Sequence, residues 1–411
     1  MLRFIKKYSW IILLAFMLLL FPQSLSDQAK LNMRVIITGV GIDYINGQYQ
    51  ITSQIVLPKN GTESGGISAH INYISADAKT IGEGVQKVSY KLGKLAELSH
   101  IEFILVGETM KNHNLASCLD YFFRNFKLKK SVMLIACMGQ AKEAILKTEQ
   151  LELGVALSLQ KIYLSNQNSL NGVEKSYVDF INDTYSTSGC SVLDTFVIAS
   201  PQENESQSNS SDQTSQAASS SSGQESAKLK SKTPLLLFKH GKFVDKMVNE
   251  DNVLGYYLTL PKAKTGNIYL QNFSYGDIQN ANINIRIDNM NKHNKISFED
   301  SKIIHTININ LTDIKLDEIA PINATNINQY KQLPKSTQDQ ILNTLKEKIS
   351  SLITSTFQYC QQQNFDILNT ANFCNKYHSN KWNTFVSQLE NPSNYINHVN
   401  VVVNVTFDKI G

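Results

Sequence analysis

The glycine pair Gly39 and Gly41 is the part of the sequence that comes nearest to a nucleotide-binding motif. A dinucleotide-binding turn needs a third glycine three residues further on and a helix N-terminus that receives the pyrophosphate. Tyr44 holds that third position, and Asn46 with Gly47 predicts the tight turn of a β-hairpin instead of a helix. We therefore expect no nucleotide here and interpret the two glycines as points of close backbone approach within a sheet.

Histidine and carboxylate side chains near residue 100 are the next candidates for chemistry. His100 enters an apolar strand beside Glu102, and we interpret it as a structural histidine in preference to a catalytic one. Glu97 and Glu102 could form the carboxylate pair of a glycoside hydrolase, but nothing else in the sequence specifies that reaction. No Gly-x-Ser-x-Gly, His-Glu-x-x-His or phosphate loop occurs, and the eight histidines lack metal-ligand spacing. We predict no catalytic, cofactor-binding or metal-binding residues and no cofactor.

Two C-terminal residues and the cysteines have structural interpretations. Asp366 precedes Ile367 and fits the N-terminal cap of a helix. Trp382 is expected to anchor a core or a domain junction, with a partner contact as the alternative.

An odd number of cysteines without paired spacing argues against a disulfide framework and a zinc site, although one bridge, Cys360 to Cys374, stays open. The cysteines are Cys118, Cys137, Cys190, Cys360 and Cys374.

The charge balance excludes one class of partner. The formal net charge is +4, and three of those charges, Arg3, Lys6 and Lys7, belong to the N-terminal segment. A nearly neutral body lacks the positive field that a nucleic-acid-binding protein needs. We therefore expect no nucleic-acid partner.

Residues 1–26 have the plan of a secretory signal. Basic residues precede the apolar run Trp10 to Phe21, and Ser24-Leu25-Ser26 offers small residues at cleavage spacing. A helix from Tyr8 to Pro22 would measure roughly 22 Å, shorter than the ~30 Å hydrocarbon core of a bilayer. The segment predicts export, and both cleavage and retention as a signal anchor stay open.

The elements that must position these residues fall into an α+β chain of 411 residues. A hairpin at 34–58 and strands at 100–107 and 132–137 alternate with helices at 78–92, about 115–126 and 140–147, which predicts an α/β domain over residues 30–200. Residues 201–232 are Ser-rich with almost no large apolar side chain, and they predict a disordered linker. A small middle β region is expected over 233–264, where His240 and Gly241 lie between two apolar runs and predict a second hairpin.

The C-terminal domain, residues 265–411, is expected to be an antiparallel sheet covered by a long helix. Residues 267–311 and 398–407 alternate as half-buried strands do. The helix at 334–363 carries one apolar stripe, and Thr337 with Gln340 has the pattern of a capping box. An open apolar sheet face needs a cover, and this stripe can supply it.

Several short patterns occur in an order that resembles a known family. They are Gly39-Val40-Gly41-Ile42-Asp43, Leu98-Ser99-His100-Ile101-Glu102, Val106-Gly107-Glu108, Ala141-Lys142-Glu143-Ala144-Ile145-Leu146, Phe238-Lys239-His240-Gly241-Lys242-Phe243-Val244, Phe365-Asp366-Ile367-Leu368 and the lone downstream Trp382. Their order and spacing over residues 34–411 are similar to those of the Ger(x)C family, the GerAC-like C subunits of nutrient-germinant receptors in spore-forming bacteria.

The resemblance implies a fold, a location and partners. It implies three mixed α/β domains on the outer face of the cell membrane or spore inner membrane. It also implies assembly with a transporter-like B subunit and an A subunit, both integral to the membrane, and no enzymatic activity. The family pattern includes a lipobox cysteine after the signal, whereas the first cysteine here is Cys118. Lipid anchoring is therefore not carried over.

Two alternatives remain open beside a non-enzymatic receptor subunit in spore germination. One is an exported hydrolase of envelope polymers. The other is a paralogue with the same fold that serves a different transporter-like membrane complex.

Overall fold

The computed structural model describes most of the chain outside its first 32 residues. The N-terminal signal segment (residues 1–26) and the Ser-rich linker (201–232) lie outside the described residues, so both remain predictions. The described ranges are 33–59, 68–125, 128–147, 169–170, 172, 175–196, 234–276, 278–299, 301–320 and 333–407.

The first sheet runs in the order β3-β2-β1-β5-β6-β7-β8-β9, with β4 paired to β1. The strands β1, β5, β6 and β7 are parallel to one another, and antiparallel hairpins flank them on both sides. The bounds are β1 Arg34–Ile45, β2 Gln48–Lys59, β3 Ser68–Ala78, β4 Leu95–Glu97, β5 Phe103–Gly107, β6 Met133–Cys137, β7 Cys190–Phe196, β8 Leu235–Lys239 and β9 Lys242–Met247.

Both hairpins predicted from the sequence form through residues with positive φ. Asn46 and Gly47 have φ values of 51° and 80°, and His240 and Gly241 have values of 49° and 75°. Two consecutive residues in this region give the primed turn whose twist matches that of its strands. The predicted middle region therefore supplies β8 and β9 to the same sheet as the N-terminal strands.

Helices cover both faces of this sheet. One core includes Val85, Leu119 and Phe180, from α1, α2 and α4, and a second, smaller core holds Ala141 and Ile145 of α3 on the opposite face. The bounds are α1 Ile81–Leu92, α2 Leu115–Arg124, α3 Ala141–Lys147 and α4 Tyr177–Thr184, with a 3-10 turn at Glu108–Met110.

The second sheet has the order β10-β11-β12-β13. The first three strands are antiparallel as predicted, but β13 pairs with β12 in parallel. The final strand departs from the prediction because a long helix carries the chain back across the sheet before β13 begins, which is the connection that parallel pairing requires. The bounds are β10 Gly266–Tyr275, β11 Ile278–Glu299, β12 Lys302–Ala320 and β13 Val399–Phe407.

The helix α6 covers this sheet with the predicted apolar stripe. Ile341, Leu345, Ile349 and Leu352 are buried in one core with the inward-facing isoleucines of β11 and β12. The predicted capping box is wrong, because the helix begins after Pro334 and Thr337 lies buried inside its first turn. The remaining helices are α5 Glu250–Thr259, α6 Lys335–Gln362, α7 Thr370–Tyr377 and α8 Ser379–Ser387, with a 3-10 segment at Pro392–His398.

Strand β8 is shared by the two large cores. Leu236 and Phe238 point into the core of the N-terminal half, whereas Leu235 and Leu237 point into the core beneath α6. Successive side chains of a strand alternate between faces, so an apolar strand of this kind must be covered on both sides. The two halves of the chain are therefore packed against each other through a common strand.

No helix among the described residues is both long enough and apolar enough to cross a bilayer.

Candidate functional site

The glycine pair lies in the middle of β1 and serves packing. A Cβ atom at Gly39 would overlap the ring of buried Phe103, and one at Gly41 would lie 2.7 Å from the Ile145 Cδ1 atom of α3. A hairpin follows the pair, as the sequence predicts. The prediction of close backbone approach is therefore wrong in its partner, because side chains packed on the sheet are what exclude a Cβ atom at both positions.

Asp43, two residues after Gly41, is fully buried and holds the start of α3. Its Oδ1 and Oδ2 atoms accept hydrogen bonds from the Ala141 and Lys142 N–H groups, each at 2.9 Å, and Oδ1 accepts a third from the Thr109 hydroxyl at 3.0 Å. Burial raises the pKa of Asp43, and these three donors oppose that shift. The sequence analysis assigns no role to Asp43, although a carboxylate near the end of an apolar strand is a signal of a buried helix contact.

The structure places the candidate residues near position 100 in different local elements. His100 lies exposed in a turn, because the strand begins only at Phe103, so the interpretation of His100 as a strand residue is wrong. Glu97 forms an ion pair with Arg34, with 2.5 Å between Oε2 and Nη1. The structure therefore uses Glu97 to join β4 to β1.

A cluster of buried polar groups around Asp366 lies where α6 and α7 meet the first sheet, and we name it the Asp366 junction. Asp366 is 2 % exposed, and its carboxylate accepts hydrogen bonds from the Thr370 and Ala371 N–H groups at 2.9 Å and from the Tyr395 hydroxyl at 2.7 Å. The first amides of a helix have no partner inside the helix, and Asp366 accepts from two of those of α7, but the predicted N-cap position is wrong because the helix begins only at Thr370. The N-cap position itself belongs to Asn369.

His305 of β12 also belongs to the Asp366 junction, where it contacts Thr370 of α7. Its Nδ1 atom lies 2.9 Å from the Thr370 hydroxyl, and among the described residues its buried Nε2 atom has no hydrogen-bond partner. Burial lowers the pKa of His305 to about 4, although the nearby Asp366 carboxylate acts in the opposite direction. The imidazole is therefore neutral at neutral pH.

The cysteines are buried and free, so the alternative of a Cys360–Cys374 bridge is not realised. Cys190 of β7 belongs to the Asp366 junction, where its sulfur accepts a hydrogen bond from the Asp366 N–H at 3.3 Å. Burial raises the pKa of the Cys190 and Cys374 thiols to about 12. These thiols are consequently protonated and unreactive at neutral pH.

Asparagine side chains connect the two halves beside the Asp366 junction. The Ser188 N–H donates to Asn372 Oδ1 and its hydroxyl donates to Asn369 Oδ1, each at 2.9 Å. The Asn372 side-chain amide donates in turn to the Ser186 hydroxyl at 3.0 Å. The loop between α4 and β7 is thereby fixed to α7, a contact between distant segments that no local pattern could predict.

Lys292 makes a second connection of this kind. Its ammonium donates to the backbone carbonyls of Leu260 and Ala263 at 2.7 and 2.8 Å, just beyond the C-terminus of α5. Burial lowers the pKa of Lys292 to about 7. A cation at a helix C-terminus is stabilised by the partial negative charge there.

Trp382 is a core anchor, as predicted. It is 6 % exposed and packs edge-to-face on Tyr395, with 5.2 Å between the ring centroids. Since Tyr395 also donates to Asp366, the tryptophan supports the Asp366 junction from the side of α8.

An open cleft of about 350 Å³ lies between α8 and the turn that joins β11 to β12. Phe298 and Phe385 form its apolar part, and Glu299 is the single carboxylate among its described lining residues. Hydrolysis of a glycosidic bond ordinarily requires two carboxylates. Within the described ranges, no three His, Cys, Asp or Glu side chains converge on a possible metal position.

The buried polar side chains described above lie at helix ends and at contacts between separate elements. Asp43 and Asp366 are enclosed, and their oxygens are occupied by backbone and hydroxyl donors. A substrate cannot reach them in this structure. Asp43 fixes α3 to the first sheet, and the groups around Asp366 fix α7 to β7 and the loop before it.

Comparison with known families identifies this class of protein. Residues 27–197 match the family described as "Spore germination protein N-terminal domain", and residues 234–409 match "Spore germination B3/ GerAC like, C-terminal". The two matches cover most of the chain and leave out the Ser-rich stretch. The chain therefore belongs to the GerAC-like family of spore germination proteins.

Two curated relatives agree with this assignment. Spore germination protein B3 of Bacillus subtilis (strain 168) is 31 % identical over 137 residues, which are 33 % of this chain and 36 % of that protein. The putative spore germination protein YfkR of the same organism is 25 % identical over 132 residues, 31 % of this chain and 34 % of the relative. The alignments thus span about a third of the length of these curated relatives. A crystal structure of the GerBC protein superposes with a TM-score of 0.49 at 17 % identity, covering 91 % of this chain and 97 % of that one.

Proposed function

We propose that the chain is a non-enzymatic, extracytoplasmic subunit of a membrane-bound germinant-receptor complex in spore germination. The observation that carries this proposal is the match of both halves, residues 27–197 and 234–409, to spore-germination families. Its partners would be the integral-membrane subunits of the receptor, a transporter-like B subunit and an A subunit. Its place would be the outer face of the cell membrane or spore inner membrane.

The organisation of polar groups supports a scaffold role. The buried carboxylates of Asp43 and Asp366 bind helix N-termini, and the half-buried Lys292 binds a helix C-terminus. The Asp43 and Lys292 contacts join segments that are far apart in the sequence, whereas Asp366 binds the helix that directly follows it. A protein that acts through its surfaces needs such internal fixation, because a partner can bind a rigid surface with less loss of conformational entropy.

The N-terminal segment supports export and membrane association. Residues 10–21 are apolar and follow three basic residues, and no cysteine stands in the lipobox position after them. Attachment in this proposal therefore depends on retention of that segment or on docking to an integral-membrane partner. Metabolic labelling with a lipid precursor should leave the protein unlabelled.

The direct test is purification of the epitope-tagged full chain from detergent-solubilised membranes of sporulating cells. We expect the A and B subunits of a germinant receptor to copurify. A Lys346→Ala chain serves as the matched control, since this exposed change on α6 should leave the complex intact. Recovery of the whole population in the soluble fraction, without membrane partners, would contradict the proposal.

The hydrolase alternative has its own test. Purified full-length protein is incubated with isolated cell-wall polymer, and released reducing ends are measured for the native chain and for Glu97→Gln and Glu102→Gln variants. We expect no release above that of heat-denatured protein. Release that either variant abolishes would favour the hydrolase instead.

A further inference from the structure

Strand β13 ends the second sheet with an uncharged edge. Its nine residues, Val399–Phe407, include five valines and contain no charged side chain and no proline. It pairs with β12 without a register shift, and among the described residues no strand pairs with its other side. An outermost strand turns a row of N–H and C=O groups away from its sheet, and a strand of another chain can bind them.

The other three outermost strands of the described sheets are shielded against such pairing. On β3, the Lys87 and Lys91 ammoniums donate to the Asp77 and Ser75 carbonyls at 2.9 and 2.6 Å. Strand β9 has only six residues, three of them charged. Strand β10 has two register shifts against β11 and a positive φ of 55° at Asn272. Lysines, short length and bulges usually prevent edge-to-edge pairing, so their absence from β13 indicates that this edge has a partner.

The part of β12 that extends beyond β13 is also unsuited to pairing. Strand β13 reaches only as far as Leu311 of β12. The following residues of β12 include Asp313, with a φ of 54°, and the charged Lys315, Asp317 and Glu318. A partner strand is therefore confined to the length of β13 itself.

The inward face of β13 is complementary to itself in an antiparallel register. With Val403 opposite its own copy, Val401 lies opposite Val405 and Val399 lies opposite Phe407. Val401, Val403 and Phe407 are only partly buried against the core beneath α6. A second β13 in this register would cover apolar area that these three side chains still expose, which favours association.

The outward face of β13 fits the same register. Asn400 then lies opposite Thr406, and Val402 lies opposite Asn404. Cross-strand bonds between side chains of this type already occur within the chain, since the Asn404 amide donates to the Asn308 Oδ1 atom of β12 at 3.0 Å. No charge on either face selects a partner of opposite charge, whereas a second copy matches all nine residues.

We propose that two copies of this chain associate through β13 in antiparallel register, with Val403 on the two-fold axis. Their four-stranded second sheets then form one sheet of eight strands, and both α6 helices cover the same face. The contact is isologous, so it closes as a dimer and does not extend into a fibre. The proposal goes beyond the proposed function and does not depend on the membrane location.

An introduced cysteine on the outward face of β13 gives a direct test. Val402 is 42 % exposed and the five native cysteines are buried, so Val402→Cys presents the accessible thiol of the described surface. In the proposed register, position 402 and its copy are diagonal neighbours roughly 7–8 Å apart, which a short bis-maleimide spans. Tyr269→Cys is the matched control, because Tyr269 is 53 % exposed on β10 at the other end of the same sheet.

The full-length chain is cross-linked in both the membrane and the soluble fraction of sporulating cells, so the result does not depend on its location. We expect Val402→Cys to form several times more covalent dimer than Tyr269→Cys. The interface of one strand pair is small, and the association is accordingly expected to be weak and favoured by high local concentration.

Two charge variants in the Val402→Cys background separate pairing of β13 from other dimer contacts. Asn400→Lys with Thr406→Lys places lysines directly opposite each other across the axis, whereas Asn400→Lys with Thr406→Glu places opposite charges there. Both positions are exposed, so the two variants should fold equally well. We expect on the order of tenfold less cross-linked dimer from the first variant than from the second.

Three results would overturn the proposal. Equal cross-linking at positions 402 and 269 would show that β13 does not pair. Equal cross-linking of the two charge variants would assign the dimer to another surface. Cross-linking of position 402 to a different receptor subunit would assign the edge to that protein. None of the first two results touches the proposed function, which instead fails if no receptor subunits copurify with the chain.

Discussion

Leu345 offers the most direct test of the packing beneath α6. Its side chain is fully buried in the core that α6 shares with the second sheet. Leu345→Ala removes three carbon atoms, which costs about 2.4 kcal/mol at ~0.8 kcal/mol per buried carbon, before any cavity is counted. Because its neighbours Ile341, Ile349 and Leu352 are also buried, the site has little freedom to collapse, and the total should fall in the range of roughly 2–5 kcal/mol.

Chemical denaturation followed by tryptophan fluorescence can measure this cost. Trp382 lies in the same core as Leu345, and the other tryptophan, Trp10, belongs to the N-terminal segment, so the change on unfolding reports this core. Lys346→Ala is the control, since Lys346 is exposed on the same helix and its removal should change the free energy of unfolding by no more than about 0.5 kcal/mol. Equally mild effects of the two substitutions would refute the assignment of α6 as the cover of the sheet.

Three further predictions concern other parts of the fold. The folded state depresses the pKa of His305 from 6.5 to about 4, so stability should fall as pH drops through that window, by up to roughly 3 kcal/mol, and His305→Asn should flatten the slope in denaturation curves. Gly39→Ala should lower the melting temperature and the yield of folded protein, because its Cβ would overlap the Phe103 ring. Deletion of residues 203–230 should leave stability and complex assembly within about 2 kcal/mol of the intact chain, since loop length affects closure entropy only weakly.

Each of these predictions has a contradicting result. A His305→Asn chain with the native pH slope between 4 and 6.5 would show that another group carries the acid sensitivity. A Gly39→Ala chain as stable as the native one would show that Phe103 can move away at little cost. A cooperative loss of stability on deleting 203–230 would mean that this Ser-rich stretch contributes to packing.

Local patterns predicted most of the secondary structure because they act over a few residues. Asn46-Gly47 and His240-Gly241 supplied the positive φ angles of both hairpins. The stripe from Ile341 to Leu352 correctly identified the buried face of α6. Asp366 was recognised as a partner of the first helix amides because this contact is local to the helix that follows, but its N-cap position was wrong.

The errors arose where tertiary contacts decide the outcome. The capping box at Thr337 failed because Pro334 already starts the helix, which leaves Thr337 inside the first turn. The parallel pairing of β13 depends on how α6 crosses the sheet, and the roles of Lys292 and Asn372 depend on segments far away in the sequence. His100 was misplaced because an apolar run does not reveal where its strand begins.

The central claim is that the chain functions as a non-catalytic receptor subunit, and complementation of a deletion strain tests it most directly. Spores that lack the gene should respond poorly to the nutrients that trigger germination of the parent strain. A chain carrying Glu97→Gln and Glu102→Gln together should restore the response fully, whereas Leu345→Ala should restore it in proportion to the amount of assembled complex. A normal response to every nutrient without the gene, or a loss of function in the double carboxylate variant at native abundance, would contradict the account.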